Sequence, residues 1–195
     1  MEVNNDLIYK AVMFASKKHF GSVRKGDGQP YIFHPLEVLG VVSLLTNDED
    51  ILAASVLHDT IEDTDTTKEE IIKEFNEHIA DLVASESEDK RKGQNKDDTW
   101  LDRKKEAIKS LKNAKDIGSK MICIGDKISN LRSLNRLILD KGDEAWNNFH
   151  MKDPKMHYWY YDGIRQALED LKDTNVYKEY CFLIDAVFSK YVKEK

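Results

Sequence analysis

Four residues with acid–base or metal-binding side chains fall within six positions of one another. His58 and Asp59 are adjacent, and Glu62 and Asp63 follow, inside Ala53-Ala54-Ser55-Val56-Leu57-His58-Asp59-Thr60-Ile61-Glu62-Asp63-Thr64. An imidazole can ligate a metal or move a proton near neutral pH, and carboxylates can ligate or act as general acids and bases. On a helix running past Asp59, His58 stands one turn from Glu62, and Asp59 one turn from Asp63. Carboxylates this close repel unless a cation or a proton sits among them. An adjacent His-Asp pair is common by chance, and acidic residues near a helix end are often merely solvated. The weight therefore falls on further ligands. His34 precedes Pro35 in an apolar setting, where a lone histidine is more often structural than a ligand. Asp126 interrupts the apolar run Met121-Ile122-Cys123-Ile124-Gly125. A carboxylate there is costly to bury unless it is paired or bound to metal. Two imidazoles and two carboxylates form a mixed nitrogen–oxygen set. It suits a divalent ion that keeps open positions for water, manganese or iron, better than a closed structural zinc site.

Helices must carry these residues. Apolar spacing predicts a first helix over Asp6 to Phe20, with Leu7, Ile8, Ala11, Val12, Phe14 and Ala15 on its core face. Pro35 suits the first turn of a second helix that runs to Leu45, with His34 at its entrance. Asp48 to Thr60 is read as the helix delivering His58 and Asp59. Thr67 with Glu70 has capping-box form before Ile71-Ile72. Further helices are expected to about Phe75, over His78 to Ser85, Thr99 to Asn113, Ser119 to Leu139, Pro154 to about Leu171, and Asn175 to Tyr191. Asn130 lies one turn beyond Asp126 and faces the same way.

The 195 residues, 41% of them hydrophobic and few of them Pro or Gly, suit one all-α domain over 1–195. The net charge of -6 argues against a generic nucleic-acid surface. No apolar run is long enough to span a membrane, and the acidic, polar N-terminus is unlike a secretory signal. Cys123 and Cys181 lie far apart among apolar residues and read as buried thiols, in keeping with a cytoplasmic protein. Residues 86–98 are highly charged and lack an apolar period, which predicts a loop. Lys90, Arg91, Lys92, Lys96, Arg103, Lys104 and Lys105 make this the most basic region of an acidic chain. Such a face is usually solvated; beside a site it would hold phosphates.

The order His, His-Asp, Asp on successive helices resembles the HD metal-dependent phosphohydrolases. Three blocks narrow the resemblance: Arg24-Lys25 before Gly28-Gln29-Pro30-Tyr31-Ile32-Phe33-His34-Pro35, then Leu57 to Thr64, then Gly125-Asp126-Lys127-Ile128-Ser129-Asn130-Leu131-Arg132-Ser133-Leu134. Together they resemble the hydrolase domain of the Rel/SpoT alarmone enzymes, over roughly residues 5–190. The length is similar to that of the stand-alone small alarmone hydrolases, the metazoan SpoT-like type among them. The resemblance implies an all-helical fold and hydrolysis of (p)ppGpp, a small-molecule nucleotide, to pyrophosphate and GDP or GTP. It implies one Mn2+ on His34, His58, Asp59 and Asp126, and a catalytic pair in Glu62 and Asp63. Arg24, Lys25, Asn130 and Ser133 fall on positions near guanine and ribose, and Tyr160 approximately on a substrate-contacting tyrosine. Cys123, Gly125 and Ser129 depart from the family pattern, which commonly has Lys, Ala, and His or Tyr there. These departures leave room for an HD phosphatase acting on another nucleotide, such as a 3′-nucleotidase or an NADPH 2′-phosphatase. A catalytically silent alarmone-binding protein is disfavoured because every ligand and both carboxylates are present.

Overall fold

Side-chain caps and apolar stripes account for where the helices begin and what they bury. The computed structural model describes residues 5–24, 28–87 and 96–192. Among these the architecture is all-helical: α1 (Asn5–Lys18), α2 (Phe33–Val42), α3 (Glu49–Leu57), α4 (Thr60–Asp63), α5 (Lys68–Glu74), α6 (Glu77–Glu86), α7 (Lys96–Lys112), α8 (Ile117–Lys141), α9 (Pro154–Ala167) and α10 (Asn175–Val192). Short 3-10 turns occupy Gly142–Asn148 and Glu169–Leu171. The β-structure among the described residues is an isolated bridge between Val23 and Pro30. No helix among them is long and apolar enough to cross a membrane.

Asp48 opens α3 by accepting from Asp50 N at 3.0 Å and Ile51 N at 3.2 Å. Thr67 accepts from Glu70 N at 3.2 Å, and Asn76 from Ile79 N at 2.8 Å. Each satisfies a backbone donor that has no partner within the first turn. At the far end of α8, Gly142 takes φ +58°, the left-handed conformation that stops a helix at little cost to glycine.

The chain forms two compact units. The first contains the segment up to Arg24, Gly28–Ser87 and Asp116–Ser129. Its centre is α3, where every residue from Ile51 to Leu57 is buried, packed against α1, α2 and α6. A helix apolar on all sides can be stable only when it is surrounded in this way. The first half of α8 adds Ile122 to that core and comes unusually near α2. A Cβ on Gly125 would lie 2.9 Å from Val42 Cγ2 and 3.1 Å from Val38 Cγ1. In the second unit, α9 packs on α7 and α10. There Tyr180 donates to the Tyr161 carbonyl at 2.9 Å, and Trp146 stacks on Phe188.

Most helix limits lie within two or three residues of the sequence reading, but two elements differ. The helix expected over Asp48 to Thr60 stops at Leu57. The one expected from Pro154 to Leu171 is α9 followed by a separate 3-10 turn. Lys25, Lys90, Arg91 and Lys92 lie outside the described residues.

Candidate metal centre

The break after Leu57 gives the centre its shape. The carbonyls at the end of a helix lose their partners. Here side chains supply them: Thr60 Oγ1 donates to Leu57 O at 2.7 Å, and His58 Nδ1 to Ser55 O at 2.8 Å. Asp59 takes φ -92° and ψ -3°, and the short helix α4 restarts behind it. The turn leaves the imidazole of His58 and the carboxylate of Asp59 in one place. His58 Nε2 lies 3.1 Å from Asp59 Oδ2.

Two other helices of the same unit bring side chains to that point. His34, in the first turn of α2, sets Nε2 3.4 Å from Asp59 Oδ2 and 3.1 Å from Asp126 Oδ1. Asp126 is on α8, and its Oδ1 is 3.9 Å from His58 Nε2. One ligand atom from each of His34, His58 and Asp126 lies within 4.8 Å of the others, and all three residues are buried. Asp59, slightly more exposed, completes the group of four. Lys127 takes the other oxygen of Asp126, leaving Oδ1 to face the imidazoles.

The residues fit a divalent cation. A carbonyl oxygen can only accept, so the contact with Ser55 O places a hydrogen on His58 Nδ1 and turns Nε2 toward the carboxylates. That Nε2 is fully buried and makes no hydrogen bond. Burial alone would depress the His58 pKa, but Asp59 and then Asp126 reverse this and raise it to about 9. Burial likewise opposes the charge on both carboxylates, yet His58 and His34 hold Asp59 well below the usual carboxylate range. Lys127 and the two imidazoles do the same for Asp126. Two buried anions thus draw positive charge between them, and a divalent ion would displace a proton from this position.

The acidic pair lies beside the four. Asp63 N bonds Asp59 O at 2.9 Å, so α4 continues directly from Asp59. Tyr31 joins the groups: its hydroxyl is 2.6 Å from Asp59 Oδ2 and 3.0 Å from Asp63 Oδ2. Burial, then Asp59 and Asp63, push the Tyr31 pKa far upward, so the phenol remains a donor at any working pH. Glu62 is half-buried on the same turn. Arg24 lies over the Tyr31 ring at 5.9 Å, within a turn closed by Arg24 N to Gln29 O at 2.8 Å. Gly28, φ +70°, permits that turn.

The remaining expected contacts are placed less directly. Asn130 is one turn beyond Asp126 on α8, and Ser133 accepts from Arg136 at 3.2 Å. Tyr160 is buried in the second unit, edge-on to Trp100 and Tyr161, with the Lys104 ammonium 4.8 Å from its ring centre.

Three neighbours carry little sequence signal. His19, just past α1, is buried with its ring 4.8 Å from that of Tyr31 and its Nε2 without a hydrogen bond. Glu86, half-buried at the end of α6, has its pKa raised by burial to about 7, with Lys127 opposing and Asp126 reinforcing. Ser129 contacts His34 directly. None of the three stands in a local pattern that points to a site, and three-dimensional proximity distinguishes them.

Residues 11–147 match the HD domain family. The human guanosine-3′,5′-bis(diphosphate) 3′-pyrophosphohydrolase MESH1 is 32% identical over 174 residues, which cover 86% of this chain and 86% of the human protein. A GTP pyrophosphokinase of Myxococcus xanthus is 30% identical over 193 residues, 97% of this chain, but the chain spans only 25% of that enzyme. Among solved structures, that of a metazoan SpoT ortholog described as hydrolysing ppGpp superposes with a TM-score of 0.71 at 22% identity. The match covers 95% of this chain and 96% of the other, and at that identity it bears on the fold alone.

Proposed function

This chain belongs to the HD domain family, and from that premise we propose that it is a metal-dependent hydrolase that removes the 3′-pyrophosphate of ppGpp or pppGpp. The products are pyrophosphate and GDP or GTP. The observation that carries the reading is the convergence of His34, His58, Asp59 and Asp126, with Glu62 and Asp63 on the next turn. The overall likeness to human MESH1, over 86% of both chains, supports the substrate. The working compartment is the cytoplasm, which suits cysteines that are not joined in a disulfide.

His34, His58, Asp59 and Asp126 would hold the ion; two imidazoles and two carboxylates with open positions suit manganese or iron, and the resemblance to the alarmone hydrolases implies Mn2+. When bound, a divalent ion activates water near neutral pH and offsets phosphate charge. The protein's side chains do the rest. Glu62 and Asp63 orient the attacking water and carry its proton. As the water oxygen bonds to the 3′-proximal phosphorus, the bond from that phosphorus to O3′ breaks. The departing O3′ takes a proton from the same carboxylate pair. Arg24, Lys25, Asn130 and Ser133 bind the nucleotide, Arg24 from its place over Tyr31. Tyr160 is assigned to substrate binding by the family resemblance alone.

A substrate panel tests this. Purified protein with Mn2+ is offered ppGpp, pppGpp, a 3′-nucleotide and NADPH, with pyrophosphate and orthophosphate measured separately. Pyrophosphate from the two alarmones is expected. Orthophosphate from the 3′-nucleotide or NADPH, with no turnover of ppGpp, would replace this reading with a phosphatase on another nucleotide.

A further inference from the structure

The two imidazoles of the centre are held by different kinds of partner. His58 Nδ1 donates to a backbone carbonyl. His34 Nδ1 instead meets the hydroxyl of Ser129, 2.8 Å away, and that hydroxyl lies 2.7 Å from Glu37 Oε2. Ser129 is fully buried on α8, three residues after Asp126, and Glu37 is on α2, three residues after His34. That spacing puts each partner on the same helix face as the ligand it accompanies. The contact needs the two helices close together, and Gly125 permits it, since a Cβ there would collide with Val42 and Val38.

Counting hydrogens leaves one arrangement. A carboxylate only accepts, so Ser129 gives its one hydrogen to Glu37. The serine oxygen then accepts from His34, which puts a hydrogen on Nδ1. The lone pair of Nε2 is left facing Asp126 Oδ1 at 3.1 Å and Asp59 Oδ2 at 3.4 Å. We propose that Ser129 and Glu37 are positioning residues for the metal centre: a carboxylate–hydroxyl–imidazole relay that locks His34 in its ligating tautomer and sets the affinity for the divalent ion. The relay rests on the reading of His34 as a ligand. It polarises His34 through a charged group, while His58 leans on a neutral carbonyl, so the two imidazoles are unequal ligands.

The test is calorimetric titration of Mn2+ into chelator-stripped protein, with the thermal melt of each stripped variant alongside. Ser129→Ala strands the His34 Nδ1–H and should weaken Mn2+ binding about ten- to a hundredfold, the usual cost of losing a ligand's outer partner. Glu37→Gln keeps an acceptor oxygen for Ser129 but loses the charge, so it should weaken binding less, by several-fold. A merely structural role would lower the melts and leave the dissociation constants alone. Should Ser129→Ala fail to fold, Glu37→Gln, isosteric and only half-buried, carries the test. Wild-type protein that binds Mn2+ while the folded variants bind it equally well would overturn the relay alone. Wild-type protein that takes up no Mn2+ would overturn the metal centre, and the relay with it.

Discussion

Replacing Tyr31 with Phe removes one oxygen and leaves the rest of the residue in place. The ring keeps its contact with His19, 4.8 Å between centroids, and its place under Arg24. What disappears is the hydroxyl 2.6 Å from Asp59 Oδ2 and 3.0 Å from Asp63 Oδ2. A phenol has one hydrogen. It is shared unequally between two acceptors, mainly Asp59 at the shorter distance and also Asp63, so the one hydroxyl tethers the exposed Asp63 side chain to Asp59. A hydrogen bond to a charged group contributes about 1.5–3 kcal/mol. If that energy holds the two carboxylates in their working arrangement, its loss corresponds to about a ten- to 150-fold fall in kcat. KM should change little, since the hydroxyl faces carboxylates rather than the nucleotide. The assay is pyrophosphate release from ppGpp under Mn2+ saturation, with bound manganese counted in the same preparation. Wild-type kcat in a fully loaded Tyr31→Phe protein would refute the role of the tether. Low activity accompanied by lost metal would relocate the effect to Asp59.

Glu62→Gln and Asp63→Asn should each cut turnover about a hundred- to ten-thousandfold while metal content stays intact, as expected for proton-transfer groups outside the ligand set; near-wild-type rates would contradict that. Gly125→Ala drives a Cβ to within 2.9 Å of Val42 Cγ2, and both Val42 and Val38 are fully buried. It should cost about 1–3 kcal/mol by overpacking, seen as a lower melting temperature, and an unchanged melt would show that α2 and α8 can part freely. His78 bonds Asp116 through Nε2 at 2.8 Å and Asp50 through Nδ1 at 3.1 Å, so serving both carboxylates requires the doubly protonated ring. Asp116 and then Asp50 raise its pKa. The stabilisation is therefore complete below the unfolded value of about 6.5 and is lost as pH rises through the higher folded value. In urea denaturation His78→Gln should be clearly weaker than wild type at mildly acidic pH and converge with it at alkaline pH; a constant gap would contradict the linkage.

The helices are legible because their cores and caps are local. Ile51, Leu52, Val56 and Leu57 declare a buried helix, and Asp48 and Thr67 mark starts that the hydrogen bonds bear out. Asp126 is legible as a carboxylate where an apolar residue would be cheaper. The stop at Leu57 is not, since the apolar pattern runs straight on and the caps come from the histidine itself and from Thr60. Long-range partners leave even less trace. Ser129 reads in sequence only as a departure from a family pattern, because its partners His34 and Glu37 stand 95 and 92 residues away. Tyr31 is visible as part of a motif, but nothing local says that its hydroxyl joins two carboxylates. His19 sits in a polar stretch after Lys17-Lys18 and has no pattern of its own.

The most direct measurement follows the phosphorus NMR spectrum of ppGpp mixed with chelator-stripped protein, before and after Mn2+ is added. The spectrum should stay unchanged until the ion is supplied, then show pyrophosphate and GDP growing in equal amounts, and Asp126→Asn protein should leave ppGpp intact throughout. Orthophosphate in place of pyrophosphate, or turnover that proceeds in the stripped protein, would contradict a metal-dependent 3′-pyrophosphohydrolase built on His34, His58, Asp59 and Asp126.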